Sequence, residues 1–595
     1  MANSVVNDFS LRISTANGTG SQTSNNLIFR TLFRMGLAAN TKNLFPSNIQ
    51  GLPTWYQIRV SPEGHQVRSE TWQILVALNA ATLDQDLKEL PKGQVVIDNA
   101  DFKRADENFE GWVRYSVPFD TLARKEISDA KLRPRLKNMI YVGVIAELYG
   151  LDEACLRESL TQIFRGKEKV VDINWEALQL GAQYVRDNFE KQDPYRFEKA
   201  DQTAGKVAME GNDAAALGVL YGGCSVVAWY PITPASSLAE FLIGHANRLE
   251  KETGKKQLAV LQAEDELSAV GMALGAGWAG ARSMTSTSGP GISLMGENMG
   301  LGYYAEIPTV VFNVQRVGPS TGLPTRTQQS DLLQAAYLSH GDTRFPILLP
   351  HDPKEAFELS WRAFDYAERF QVPVFVLSDL DLGMNAWVGD PPVHPDTPVD
   401  RGKVVTDEKL KELETWGRYL DVDGDAIPWR SVPGKATDPR SVFFTRGSGH
   451  NEMAGYTEDS ETYNRNLLRL VRKIDSMGNA LPAPVPGGTS DASVGVIAYG
   501  STDPALQEAL DSFPGAFAYL RVRSYPFHDD VQAFIDSKDR VVVIEQNQQG
   551  QMAQLLCSSY PDLANRIDSA VYFAGLPISA DFVRGVLEQH LTKAK

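Results

Sequence analysis

Between about Lys206 and Asn385 the chain runs through six short, mostly β-branched or aromatic stretches: "SVVAWY", "QLAVLQ", "RSMTSTS", "PTVVFNV", "RFPILLP" and "PVFVLSD". Longer helical stretches separate them. Alternation of this kind argues for an α/β domain built on a largely parallel sheet. In such open sheets ligands collect beyond the carboxyl ends of the strands. Each strand end is therefore a place to look for chemistry.

The same alternation occurs on both sides. The first segment carries the strand candidates "FSLRIST", "WQILVALN", "QVVIDN" and "MIYVGVIA", with "LIFRTLFRMGL" and "EACLRESLTQIFRG" as helices. In the former, Ile28, Leu32 and Met35 fall at i, i+4 and i+7, on one helical face. A charged stretch with one proline, "DNFEKQDPYRFEKADQTAG", reads as a linker. Beyond the central segment come "GDPPVHPDTPVDRG", a less regular charged region holding "FFTRGSGHNEMAGY", and a Pro/Gly hinge, "NALPAPVPGGTSDAS". The last hundred or so residues alternate again through "VGVIAYG", "AFAYLRVR", "DRVVVIEQN" and "AVYFAGLP". The expectation is three consecutive α/β domains, 1–190, 206–390 and 491–595, with a linker at 191–205 and an irregular connecting region at 391–490. At about 100–200 residues per domain, 595 residues fit that layout.

A formal charge of −16 argues against nucleic acid or an anionic membrane as the main partner. No apolar run reaches the ~18–20 residues of a membrane span. The opening "MANSVVNDFS" lacks the basic-then-apolar pattern of a secretion signal. Cys155, Cys224 and Cys557 stand far apart, without a CxxC pair. They provide no metal or iron–sulfur site from this chain alone and no disulfide framework, which fits a reducing cytoplasm.

Four strand ends in the central segment carry suggestive residues. "YPITPASS" sets Thr233 between Pro231 and Pro234, on a stiffened strand-to-helix turn with Ser236 or Ser237 as the helix cap. A plain Pro-rich turn would look the same. "EDELSAVGMALGAGWAG" opens on Glu264, Asp265 and Glu266 and continues almost entirely in small residues. At ~1 kcal/mol per glycine that is a poor solitary helix, but it lets a backbone or a ligand come close. "TSTSGPGISLMGENMG" starts a helix after Gly289–Pro290–Gly291, with Ser288 or Ser293 as cap. "PTVVFNVQR" ends on Arg316, placed for a carboxylate clamp or a surface salt bridge.

Taken together, "GNDAAALGVLYGGC", "YPITPASS", "EDELSAVGMALGAGWAG", "TSTSGPGISLMGENMG" and "GPSTGLPTRTQQSDL" resemble the α subunit of 2-oxoacid:ferredoxin oxidoreductases. The resemblance places Gly211–Leu332 in the pyrimidine-binding domain of thiamine diphosphate enzymes. "VVVIEQNQQGQMAQLL" resembles the second α domain, of transketolase C-terminal type, and the N-terminal segment resembles the γ domain, fused ahead of α. The longer motifs lean toward the 2-oxoglutarate branch.

The resemblance implies an enzyme that uses thiamine diphosphate, with coenzyme A as a further substrate and ferredoxin as electron partner. It assigns Glu266 to a pyrimidine ring nitrogen, because the family's glutamate precedes a helix glycine by nine positions, as Glu266 precedes Gly275. Tyr230 and Pro231 fall beside the cofactor, while Thr233 and Arg316 match positions that hold the substrate carboxylate and keto oxygen. Arg326 is a candidate for a second carboxylate. Gly18 and Gly20, before a helix in "NGTGSQT", are candidates for the phosphates of coenzyme A or for simple loop packing; as a dinucleotide fingerprint they match poorly, since Thr23 stands where a last glycine belongs. A β subunit is implied, in an (αβ)2 assembly, bringing the diphosphate-binding half of the site, its Mg2+ and an iron–sulfur cluster; this chain itself carries no metal ligand set. Carboxylation, as in CO2 fixation by a reductive tricarboxylic acid cycle, and decarboxylation share one site, so the sequence leaves direction open. Two alternatives stay open: a pyruvate or branched-chain 2-oxoacid enzyme, and a non-catalytic coenzyme A- or nucleotide-binding regulator.

Overall fold

A computed structural model describes residues 4–46, 51–395 and 397–593. Met1–Asn3 of the opening stretch and Asp396 of the Pro/Asp-rich stretch lie outside them. The chain forms two compact units. One comprises Met1–Ala208, Asn385–Pro391 and Pro577–Phe582; the other comprises Met209–Met384, Pro392–Leu576 and Val583–Lys595. No described helix is long and apolar enough to cross a membrane.

The first unit is built on a six-stranded sheet. Its strands are β1 (Phe9–Ala16), β2 (Asn40–Leu44), β3 (Pro53–Val60), β4 (Ile74–Ala77), β5 (Val95–Asn99) and β6 (Val113–Val117), in the order β2-β3-β1-β4-β5-β6. β1 pairs in parallel with β4 and antiparallel with β3. Helix α1 (Ser21–Arg34) follows β1 and buries Ile28 and Leu32, as their spacing requires.

"MIYVGVIA", expected as a strand, lies instead within helix α2 (Arg133–Tyr149), where every residue from Met139 to Ile145 is buried. A helix enclosed on all sides loses its polar face, so a continuous apolar run cannot tell it from a strand. Its neighbour is α3 (Glu168–Asn188). At their contact a Cβ on Gly143 would lie 1.8 Å from the Leu178 carbonyl oxygen, and one on Gly181 2.0 Å from that of Ile140. The two glycines thus let the backbones approach more closely than any side chain would allow. Residues 191–205, expected as a linker, belong to this unit: Tyr195–Arg196 pairs with Val5–Val6, and Phe197 is buried.

The second unit contains two sheets. Its strands in chain order are β7 (Val226–Trp229), β8 (Ala259–Gln262), β9 (Ser283–Thr287), β10 (Thr309–Gln315), β11 (Ile347–Leu348), β12 (Pro373–Asp379), β13 (Val485–Gly488), β14 (Val494–Ala498), β15 (Phe517–Arg521), β16 (Ser524–Tyr525), β17 (Arg540–Glu545) and β18 (Ile567–Val571). The larger sheet runs β8-β7-β9-β10-β12-β11-β16 and is parallel except for β16; the smaller runs β13-β15-β14-β17-β18. The helices that position the site are α4 (Gly211–Tyr221), α5 (Ser236–Thr253), α6 (Glu266–Trp278), α7 (Gly289–Tyr304), α8 (Pro353–Phe370), α9 (Ser460–Asp475) and α10 (Gln551–Ser559).

One continuous apolar core serves both sheets, from Val310 and Val374 in the larger to Val541 and Val543 in the smaller. The largely irregular stretch before β13 is fastened by buried charges. Glu306, at the end of α7, receives Arg469 Nη2 at 2.7 Å and Lys473 Nζ at 2.5 Å from α9. Glu368 of α8 receives Arg282 and Arg430 at 2.8 and 2.7 Å.

Candidate active site

The turn after β7 carries Tyr230 half-buried, Pro231 exposed and Thr233 half-buried. Asn212 Nδ2, from α4, donates to the Pro234 carbonyl at 2.9 Å and to Ser237 Oγ at 2.8 Å, so the turn is pinned from below. Neither Ser236 nor Ser237 caps α5. The N-cap is Ala235, with no side-chain bond, and Ser236 Oγ donates to the Ile232 carbonyl at 3.2 Å. The tight Pro-bounded turn starts the helix one position early, and the serines enter its first turn.

After β8, the three acids part company. Glu264 is exposed. Asp265 is the N-cap of α6 and accepts the Ser268 amide at 2.7 Å, which holds its carboxyl below the usual range. Glu266, the first helical residue, is buried at 6% exposure, and its carboxylate accepts no hydrogen bond from the described residues. Gly291 of α7 lies directly against it: a Cβ there would meet Glu266 Cγ at 2.6 Å and Thr287 Oγ1 at 2.0 Å. Ser288 is the N-cap of α7, as expected by position, but its hydroxyl makes no cap bond; with those of Thr285 and Ser286 it is buried and unpartnered.

Arg316 stands at the end of β10, 7% exposed. Nη1 donates to the Thr233 carbonyl at 2.8 Å and Nη2 to the Thr321 carbonyl at 3.2 Å, while Nε is buried without a partner. Burial lowers the arginine's pKa against the opposing pull of Asp331 and Glu266, both close enough to act on it. The structure thus brings Arg316, Thr233 and Glu266 into one neighbourhood.

Beside them lies a cavity of about 550 Å³, bounded by the start of α7, the loop after β10 and residues 547–551. Arg316 lines it; Glu266, Thr233 and Arg326 do not. Arg326 Nη1 donates to the Thr325 carbonyl at 2.9 Å, and its stem passes Gly575. Gly18 and Gly20 lie in the first unit, where Gly20 takes the left-handed conformation at the N-cap of α1.

Sequence reasoning passed over Asp331 and the amides of the last segment. Asn547 Nδ2 donates to the Gln329 carbonyl at 3.0 Å, and Gln551 Nε2 to that of Ser330 at 2.7 Å. The crowded amides of "EQNQQGQ" were the available signal, since uncharged groups with both donor and acceptor suit a loop's open backbone.

Residues 217–388 match the family described as pyruvate flavodoxin/ferredoxin oxidoreductase, thiamine diphosphate-binding, and residues 10–184 match pyruvate ferredoxin/flavodoxin oxidoreductase. The fold and site therefore define an oxidoreductase subunit with a thiamine diphosphate-binding domain. The α subunit of 2-oxoacid:ferredoxin oxidoreductase 2 from Aeropyrum pernix is 30% identical, with 98% of both chains covered. The 2-oxoglutarate oxidoreductase subunit KorA of Mycobacterium tuberculosis is 30% identical over 90% of this chain and 84% of its own. A solved 2-oxoglutarate:ferredoxin oxidoreductase from Magnetococcus marinus, with 2-oxoglutarate, coenzyme A and succinyl-CoA bound, superposes with a TM-score of 0.86 at 28% identity, covering 98% of this chain and all of that one. The chain belongs to the family of 2-oxoacid:ferredoxin oxidoreductase α subunits.

Proposed function

We propose that this chain is the α subunit, with a γ-like domain fused ahead of it, of a 2-oxoglutarate:ferredoxin oxidoreductase. The reaction interconverts 2-oxoglutarate, coenzyme A and oxidised ferredoxin with succinyl-CoA, CO2 and reduced ferredoxin. The observation that carries the reading is the full-length likeness to an enzyme holding 2-oxoglutarate, coenzyme A and succinyl-CoA.

The residues present fit thiamine diphosphate at one end. Glu266 is a buried carboxylate that accepts no bond from its surroundings, in a cradle that any side chain at Gly291 would fill. When bound, the cofactor supplies the carbanion chemistry that breaks the bond to CO2. Glu266 would hold a ring nitrogen of its pyrimidine and share a proton there. Arg316, tethered to two loop carbonyls and lining the cavity, would present its positive charge to the acid, with Thr233 beside it; pre-organisation of this kind removes ångström-scale misplacement that can cost about a hundredfold in rate.

The chain supplies half a site. α6 leaves Leu267, Met272 and Trp278 partly exposed, and α7 leaves Leu294 exposed. We assign this surface to the β subunit, which would also bring the diphosphate-binding half, Mg2+ and the iron–sulfur cluster. The test is kcat/KM of the co-expressed complex for 2-oxoglutarate, pyruvate and 2-oxoisovalerate. The expected result is a clear preference for 2-oxoglutarate; a preference for pyruvate would reject the branch and leave the thiamine chemistry standing.

A further inference from the structure

Among the residues that line the cavity beside Arg316, two side chains ionise: Arg316 and Asp331. The other polar groups are hydroxyls and amides such as Gln328, Gln334, Asn547 and Gln551. Asp331 is 8% exposed. Its carboxyl rests on the first residue of α7, where a Cβ on Gly289 would lie 2.9 Å from Oδ2, and it accepts Asn313 Nδ2 at 3.0 Å.

Arg316 does not reach Asp331 as an ion pair, because its amino groups are held by the Thr233 and Thr321 carbonyls. Two further ionisable groups act nearby. Glu266 of α6 acts on the same arginine. Tyr499, which feels Asp331 from the segment after β14, is buried with its phenol pushed well above its usual range, and so stays neutral. From α7 the cavity receives only Gly289, Pro290 and Ser293, and from 547–551 only amides. Burial pushes the Asp331 carboxyl up to about 6, despite the Asn313 hydrogen bond and the Arg316 charge.

We propose that Asp331 is a positioning residue that takes up a proton when the carboxylate of a 2-oxoacid settles at Arg316. The proposal rests on the reading of Arg316 as the carboxylate clamp. Without ligand, the cavity lining holds one cation and one carboxylate, and Glu266, outside the lining, already acts on the same arginine. A ligand carboxylate would add another negative charge beside Asp331, with Arg316 the one cation among the described lining residues, and like charges sharing a desolvated site raise each other's pKa. Protonation of Asp331 removes one competing negative charge and leaves more of the Arg316 charge to the ligand.

Ligand raises the Asp331 pKa above its value in the free enzyme. Between those two values binding takes up a proton, and affinity falls as pH rises, by at most about tenfold per unit. Below the lower value the group is already protonated and affinity levels off.

The test uses the holoenzyme with its partner subunit, and glutarate, a dicarboxylate with no keto carbon to react. Calorimetric titration in two buffers of different ionisation enthalpy measures proton uptake. Inhibition of 2-oxoglutarate turnover between about pH 6.5 and 8 gives the slope of Ki. Wild type should take up a substantial fraction of one proton, with Ki rising with pH; Asp331→Asn should take up none, with Ki flat. Binding without proton uptake in the wild type, or a wild-type slope in Asp331→Asn, would overturn the proposal while leaving Arg316 in place. A glutarate Ki unmoved by Arg316→Gln would overturn the Arg316 reading and the proposal with it. Should Asp331→Asn fail to fold, the wild-type calorimetry decides alone.

Discussion

Arg316 Nη1 donates to the main-chain oxygen of Thr233 at 2.8 Å, so one guanidinium ties together the ends of two strands 83 residues apart in sequence. A lysine would keep the charge and lose the fork. Hydrogen bonds to charged groups contribute about 1.5–3 kcal/mol, or roughly ten- to a hundredfold in binding. Arg316→Lys should therefore lower kcat/KM by about that factor for every 2-oxoacid alike, since all share the carboxylate next to the keto group. Substrate profiles of variant and wild type, measured side by side, check this; a loss confined to one acid would remove Arg316 from that role.

Gly291→Ala places a methyl group where Glu266 Cγ and Thr287 Oγ1 already are. Overpacking of this kind costs about 1–3 kcal/mol. The expected outcome is a lower Tm together with weakened thiamine diphosphate affinity, read by thermal unfolding with and without the cofactor. A variant with unchanged cofactor affinity would separate Gly291 from the cofactor cradle.

Glu266→Gln should leave folding and subunit assembly intact and abolish nearly all turnover, because an amide cannot share a proton with a ring nitrogen as a carboxyl does. Glu264→Gln, at an exposed position, should be close to wild type. The reverse pattern in steady-state assays would mean that the other acid does the work.

Glu306→Gln should destabilise the second unit by about 3–5 kcal/mol, since Arg469 and Lys473 would be left buried without their counter-charge. Burial alone would raise the Glu306 carboxyl, but the two cations overcome it and hold the group at about 2. A folded-state pKa below the unfolded value adds stability above the ordinary carboxylate range, and that stability is lost as pH falls toward 2. Chemical denaturation of wild type and variant from neutral to acid pH should show the gap narrowing; a constant gap would contradict the assignment.

The purified chain alone should show neither iron–sulfur absorbance nor 2-oxoacid-dependent dye reduction, and a cysteine-rich partner should restore both. Turnover by this chain with only thiamine diphosphate and magnesium added would refute the two-subunit reading.

Strands β10 and β12 of the central sheet are legible because parallel strands buried on both faces leave nearly unbroken apolar runs. "MIYVGVIA" misled for the same reason, since burial on all sides gives a helix an equally unbroken run. Glu266 could be chosen among three acids only through the resemblance, and its burial is independent of that choice. Asp331 was hidden inside "GPSTGLPTRTQQSDL", a motif taken whole; nothing local distinguishes an aspartate that caps a loop from one that faces a single arginine across a cavity. The serines after "YPITP" were misplaced as caps because propensity names the residue type and the turn decides the position.

The outer face of α6 sets a condition on how this polypeptide is made. Leu267 and Met272 are each nearly half exposed on a helix whose Gly275 has open space where a side chain would be, while Trp278 lies near Phe443 and donates to Thr445. An adhesive strip of this sort is harmless when covered and hazardous when not, since exposed apolar patches recruit any complementary surface nearby. Surplus copies of the chain would meet one another before they met their cover. With the β subunit proposed to cover that face, balanced synthesis of the two polypeptides, or their pairing during translation, would keep it from such contacts.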